Sequence, residues 1–307
     1  MFSIFNSARP IRSEKRASTA VTGSRMLPSL ARWKRATTVA AANPLRGFGL
    51  AALAIAAAMG LNLRVWSNPP LANPPPGPDN AAIHAQNIFL AARARQESAP
   101  RDTEAAWQFA RACFDRAEFA TNHAERAAIA EQGIAAGRRT MARDSNSVPT
   151  HYYLGMNLGQ LAQTKMLGAL KIVSEMEREF KITRALDERY DFAGPDRNLG
   201  LLYSEAPAIA SVGSRTKARH HLERAVELAP DYPENRLNLL EACLKWGDHP
   251  GAQRELNSLE ALWPRAHTNF TGEAWATAWT DWEARLKKTR KQIEASSKRL
   301  DSPHDKN

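Results

Sequence analysis

Pro230 and Pro264 lie 34 residues apart, and the residues before them repeat at the same offset: Ala218, Leu222 and Pro230 return as Ala252, Leu256 and Pro264. A repeat of that length marks a two-helix unit that cannot bury its apolar face alone and must stack on its neighbours. This constrains the chain strongly. It requires an all-α fold, a core that runs along a stack, and a function carried by an extended surface more than by a cleft.

The remaining sequence agrees. From 79 to about 300 the apolar spacing is helical, with no period-two runs of β-branched residues. Breaks fall at Asp102, 146–149, the Gly194 and Pro195 pair, 231–233 and 247–250. Residues 215–264 resemble the tetratricopeptide repeat, in which helix A packs on helix B through small residues and a proline closes helix B. Ala218, Leu222, Ala225 and Pro230 fill those helix B places, as do Ala252, Leu256, Leu259 and Pro264, with Leu239 and Leu240 on the second helix A. Leu240 stands where a small residue is usual, which would splay that pair. Earlier A helices are marked by Leu154, Gly155 and Leu158, by Leu199, Gly200 and Tyr203, and more weakly by Ala105, Trp107 and Phe114. Four helical pairs are expected, irregularly spaced: Gly155 to Gly200 is 45 residues, and 204–214 forms an enlarged loop. Over 271–300, Trp275, Trp279, Trp282 and Leu286 share one stripe, and seven Lys/Arg between 285 and 299 face one acid, Glu294. That pattern predicts a capping helix with its tryptophans on the last repeat and its cations in water. The fold class is therefore an all-α, irregular tetratricopeptide-like solenoid of helical hairpins over 81–300 with a C-terminal capping helix, followed by a disordered tail, 301–307.

The net charge of +10 is not spread evenly. Residues 1–78 hold ten Lys/Arg and one acid, Glu14, whereas 79–307 hold 32 Lys/Arg and 31 Asp/Glu. The body thus has no basic field to attract nucleic acid. Residues 1–46 read as a basic disordered tail. Residues 47–63 are apolar and uncharged, flanked by Arg46 and Arg64, and nine cations precede them. This predicts a signal anchor, or a cleaved signal peptide, that keeps the N-terminus cytoplasmic and exports the body. The start is Met1 or Met26. A buried alanine-rich helix is the competing reading of the same segment. No cysteine occurs in 1–112, which removes the lipid-anchor route. Six prolines in 69–78 make 64–80 a semi-rigid linker. The expected location is the bacterial inner membrane with a periplasmic repeat domain, or the periplasm itself if the signal is removed.

No catalytic signature is present: no H-E-x-x-H, no G-x-S-x-G, no P-loop. Cys113 and Cys243 sit in apolar helical stretches and read as two buried thiols. Adjacent His220 and His221 point about 100° apart on a helix, so they read as helix surface; only His221 is a candidate metal ligand, in trans. No metal site, cofactor or enzyme activity is expected.

The run YYLGMNLGQLA, followed by GPDRNLGLLYSEAPAIASVGSRTKARHHLERAVELAPDYPENRLNL, resembles the T component of tripartite ATP-independent periplasmic (TRAP) transporters over about 150–265. That resemblance implies an exported helical-repeat protein associated with transport. A more distant similarity is to the regulator of microtubule dynamics proteins, which use a related helical array; the export segment ranks it second.

In the tetratricopeptide register, Tyr152, Met156, Gln160, Arg197, Leu201, Ser204, Glu241 and Lys245 would line the concave face. Arg197, a cation in an apolar groove, would hold a carboxylate or a peptide C-terminus. The expected function is non-enzymatic: a tethered repeat protein that binds a protein partner, with a transport component as the candidate. The alternative is a small-molecule carrier for an apolar or carboxylate ligand, with a groove lined by Met156 and Leu201.

Overall fold

The computed structural model describes residues 78–165, 168–207 and 211–301. The basic tail 1–46, the apolar segment 47–63, linker residues 64–77 and the tail 302–307 lie outside the described residues. Within the described residues there are ten helices and no strand: α1 (Pro78–Ser98), α2 (Thr103–Ala117), α3 (His123–Met141), α4 (Val148–Gln163), α5 (Ala169–Leu186), α6 (Tyr190–Glu205), α7 (Arg215–Leu228), α8 (Pro233–Lys245), α9 (His249–Asn269) and α10 (Glu273–Asp301).

Four of the five sequence breaks fall where a helix starts, while the Gly194 and Pro195 pair lies inside α6. Asp102, Asn122 and Asp248 each accept a backbone N–H of the following first turn at 2.9 Å, and Ser214 accepts that of Lys217 at 3.3 Å. Pro149 and Pro233 occupy first turns, where the missing N–H has no partner to lose. Four hairpins result, α2/α3, α4/α5, α6/α7 and α8/α9, and in the first three helix B also packs on the next helix A. Helix A meets helix A where α2 touches α4, α6 touches α8 and α8 touches α10.

The repeat residues are what hold the hairpins closed. Ala218, Leu222, Ala225, Ala252 and Leu259 are fully buried, and Leu256 nearly so. A Cβ on Gly155 would lie 2.8 Å from the Phe180 ring, and one on Gly200 2.7 Å from Leu222 Cγ. These two glycines therefore set how closely A approaches B. Leu240 takes the matching place in the last hairpin and is also fully buried. The 45-residue spacing is absorbed by the 18-residue α5 and by a left-handed turn at the start of α6.

One expectation fails. Pro230 does follow the end of α7, but Pro264 lies inside α9, which runs on to Asn269. The proline removes one ladder bond, and tertiary packing of the last turn offsets it. Ala266 is fully buried, the His267 ring stacks on Trp279 at 3.8 Å, and the Phe270 carbonyl accepts the Trp279 indole N–H at 2.6 Å. The main core runs without a break from Trp107 to Ile293, and ends in an aromatic cluster of Phe192, Tyr232, Phe270, Trp275 and Trp282. Helix α10 thus covers the last hairpin with the stripe expected of a capping helix.

Candidate functional site

The A helices carry an unusual amount of buried polar chemistry, centred on Arg197. Asp191, Phe192 and Ala193 have φ of 51°, 57° and 61°, three left-handed residues in succession with no glycine among them. Each costs roughly 1–2 kcal/mol. The turn persists because two of its carbonyls and one oxygen of its carboxylate are held. Arg197 Nη1 donates to the Asp191 and Phe192 carbonyls at 3.1 Å and to Asn235 Oδ1 at 3.2 Å. Nη2 donates to Asp191 Oδ2 at 2.8 Å, and the Tyr152 hydroxyl donates to that same oxygen at 2.5 Å. Asn235 Nδ2 returns to the Phe192 carbonyl at 3.0 Å. Gly194 is required next, since a Cβ there would lie 2.6 Å from the Tyr152 hydroxyl. Pro195 then opens the regular part of α6. Burial, reinforced by Asp191, holds the Tyr152 phenol well above its ordinary range. Burial opposes the Arg197 charge, but the neighbouring acidic groups, Asp191 among them, more than restore it. The cluster is a locked ion pair with a protonated phenol, not an acid–base couple.

Two further polar groups continue the seam. Arg285 of α10 is buried and donates to Glu234 Oε1 at 2.6 Å, to both Glu241 oxygens at 2.9 and 3.0 Å and to Asn238 Oδ1 at 2.7 Å. The Trp282 indole donates to Glu234 Oε2 at 2.7 Å. On the other side of the hub, Arg126 donates to Gln160 and Gln163 at 2.9 and 3.0 Å, and Gln160 donates to Glu118. Glu118 Oε2 and Asp115 Oδ1 are buried without a hydrogen-bond partner. Burial pushes the Glu118 carboxyl up to about 8 and that of Asp115 up to about 6.

The sequence-predicted concave residues divide in two. Tyr152, Met156, Gln160 and Arg197 are essentially inaccessible, and Leu201 is buried too. They fill the space between successive A helices instead of facing an open groove. Met156 and Leu201 belong to the core, with Asn198 Nδ2 donating to Met156 Sδ at 3.3 Å. The groove cation expected at Arg197 is an internal strut. Ser204 and Glu241 are half-buried, and Lys245 is exposed. The Lys245 ammonium donates to the Ser204 carbonyl at 2.8 Å and to Glu205 at 2.9 Å, joining the C-terminal ends of α8 and α6. Sequence reasoning missed Asp191, Glu234, Asn235 and Arg285. Arg285 was counted among cations facing water, and its place three residues after Trp282, on the tryptophan side of α10, was the available signal.

Other candidates also resolve. His221, expected on the helix surface, bonds Asp196 Oδ1 through Nδ1 at 2.6 Å, and Arg184 holds the other Asp196 oxygen at 2.9 Å. His220 is exposed. His151 is buried with Glu179 at 2.7 Å on Nδ1 and the Ser145 carbonyl at 2.8 Å on Nε2. Two acceptors favour the imidazolium, and its pKa is raised, chiefly by Glu179. Cys113 and Cys243 are free and buried, as expected. Among the described residues, no three His, Cys, Asp or Glu side chains are grouped to hold a metal ion.

The family model for regulator of microtubule dynamics protein 1-3 matches residues 79–180, about a third of the chain. A thermophilic TPR protein of Thermus thermophilus has a similar crystal structure, with 18% identity, a TM-score of 0.47, and coverage of 67% of this chain and 93% of that one. Yeast Tom70 is matched at 13% identity and a TM-score of 0.25, over 69% of this chain and 61% of Tom70. No curated protein matches the sequence significantly. The matched family is the one to which the sequence bears the more distant similarity, and the match spans α1 to the middle of α5.

Proposed function

We propose that this chain is a non-enzymatic repeat scaffold that binds a protein partner along the C-terminal ends of its A helices. The observation that carries the reading is the partial accessibility of those ends, two of which are joined where Lys245 of α8 donates to the Ser204 carbonyl and to Glu205 of α6. Gln163 of α4, Ser204 and Glu205 of α6, and Glu241 of α8 are half-buried polar groups contributed by successive hairpins, with Lys245 of α8 exposed beside them. Beneath them, the Arg197 and Arg285 struts hold the A helices in register. A stack of hairpins with a rigid interior and a polar, partly accessible edge is suited to holding an extended partner. The burial of Met156 and Leu201, the two residues named for a carrier groove, favours the scaffold over the carrier.

The scaffold is further proposed to be tethered through 47–63 in a bacterial inner membrane, with its body on the periplasmic side. Charge asymmetry about that segment supports this orientation. The partner class favoured by the resemblance over 150–265 is a TRAP-type transport component. The family match over 79–180 supports the helical array of the body.

The test is cross-linking of the full chain in its native membrane, followed by identification of its neighbours. A specific partner should be captured from parent protein and about tenfold less from Lys245→Glu. That variant breaks an exposed ion pair contributing about 0–1 kcal/mol and should leave folding intact. Unchanged capture by Lys245→Glu would move the site off this edge, and clean beads after cross-linking would end the scaffold reading.

A further inference from the structure

At the C-terminal ends of α6 and α8 the acids already have a cation. Glu205 pairs with Lys245 at 2.9 Å, and both Glu241 oxygens accept from Arg285 at 2.9 and 3.0 Å. The end of α2 is different. Asp115 lies in its last turn, and Glu118 caps it with helical backbone angles. Three residues apart on one face, the two have Cβ atoms about 5–6 Å from each other. The Arg111 guanidinium stands 3.6 Å from Asp115 Oδ2, and Glu118 Oε1 accepts from the Gln160 amide. The second oxygen of each carboxyl, Asp115 Oδ1 and Glu118 Oε2, is buried with no hydrogen-bond partner. Glu118 as a whole is only 8% exposed. Arg126 of α3 acts on Glu118 through its charge, but its hydrogen bonds go to Gln160 and Gln163. A buried acceptor without a donor is costly, and here two such acceptors sit on neighbouring carboxyls at the negative end of a helix dipole.

We infer that this end of α2 is a subsite for a cationic side chain of the protein partner, whose N–H groups reach both bare oxygens. The inference rests on the reading of the A-helix ends as the partner edge and gives the chemistry of its first position. A guanidinium suits the place, because its planar fork carries donors that can bridge acceptors on two different carboxyls. The Asp115 side chain, 20% exposed, and the half-buried Gln163 leave an approach from solvent. A bare metal ion is a poorer occupant: among the described residues no three His, Cys, Asp or Glu side chains are grouped to hold one. Burial pushes Glu118 up to about 8 and Asp115 up to about 6, against Arg126 and Arg111 respectively, with Asp191 of α6 adding to the rise at Asp115. Without the cation, protons therefore take up part of this charge.

The experiment melts the full chain in detergent at about pH 8.5, where both carboxyls release their protons. The probe is N-acetylarginine amide, and N-acetylcitrulline amide is its uncharged control. At about 50 mM, with a Kd of about 5 mM, the probe should raise Tm by about 3–6 °C and the control should not. Asp115→Asn combined with Glu118→Gln should abolish that shift. Glu205→Gln should keep it, because that acid already has its cation. No shift in the parent overturns the inference, whatever the variants do. A shift that survives the double variant also overturns it, and assigns the gain to the rest of the surface. Partner capture tests the edge separately. Capture that depends on Lys245 with no probe shift keeps the edge and removes this subsite. A probe shift with capture unchanged by Lys245→Glu keeps the subsite and moves the rest of the edge.

Discussion

Replacing Arg197 separates an internal strut from a ligand-binding cation. The guanidinium and the Asp191 carboxylate are 2.8 Å apart, with side chains 1% and 3% exposed. Removing one partner of such a pair leaves the other charge buried and typically costs about 3–5 kcal/mol. Arg197→Ala also releases the two carbonyls of the left-handed turn, so the upper end of that range is expected. A domain of this size loses about 2–4 °C of Tm per kcal/mol. The melting temperature, followed by circular dichroism at 222 nm, should therefore fall by roughly 10–20 °C. The second variant, Asp191→Asn, removes the opposite charge and keeps an acceptor for Tyr152. Because the two residues share one network, the double variant should be less destabilised than the sum of the singles by about 1–3 kcal/mol. Refutation would come from Arg197→Ala melting within about 1 °C of the parent while partner capture is lost. That result would put the guanidinium in contact with a ligand and remove the strut.

Stability should fall as pH rises from about 4.5 to about 8. The folded protein holds a proton on Glu118 up to about 8 and on Asp115 up to about 6, which the unfolded chain releases near 4.5 and 3.8. Each proton so held makes stability drop by up to about 1.4 kcal/mol per pH unit within its window. His151 acts in the same direction: its raised pKa contributes stability below its ordinary 6.5 that is lost as pH rises through the folded value. Urea midpoints at pH 5 and pH 8 check this, and Glu118→Gln should flatten the difference; a midpoint that rises with pH contradicts it. Gly200→Ala should lower the urea midpoint, since its Cβ would lie 2.7 Å from Leu222 Cγ and 3.0 Å from the Leu222 backbone nitrogen. The overpacking cost of about 1–3 kcal/mol exceeds the roughly 1 kcal/mol that alanine gains in a helix. Gly137→Ala, with 3.3 Å to Leu154 Cβ, is the control and should be near neutral.

The parts of this fold that could be read from the sequence depend on local contacts. Two helices approach closely only where one of them is small, so Ala218, Ala252, Gly155 and Gly200 announce the hairpins at helical spacing. The tryptophan stripe announces α10 for the same reason. Pro264 misled because a proline's cost is local, whereas what offsets it is the docking of Ala266, His267 and Phe270 on α10. The polar site was less legible. Asp191, Phe192 and Ala193 contain no glycine, so nothing in their composition signals a left-handed turn, and its stability comes from Arg197 and Asn235 at a distance. Charge counting likewise placed Arg285 with its neighbours in water, although its partners Glu234 and Glu241 come from another helix. The concave register failed for a geometric reason. It identifies which helix A positions point inward, but whether they are open depends on how far apart successive A helices stand. Here the Tyr152 hydroxyl on α4 reaches Asp191 on α6 at 2.5 Å. At that separation the inward positions near the start and middle of each helix become core. At the C-terminal ends Ser204 is half-buried and Lys245 exposed, and that is why the proposed partner edge lies there.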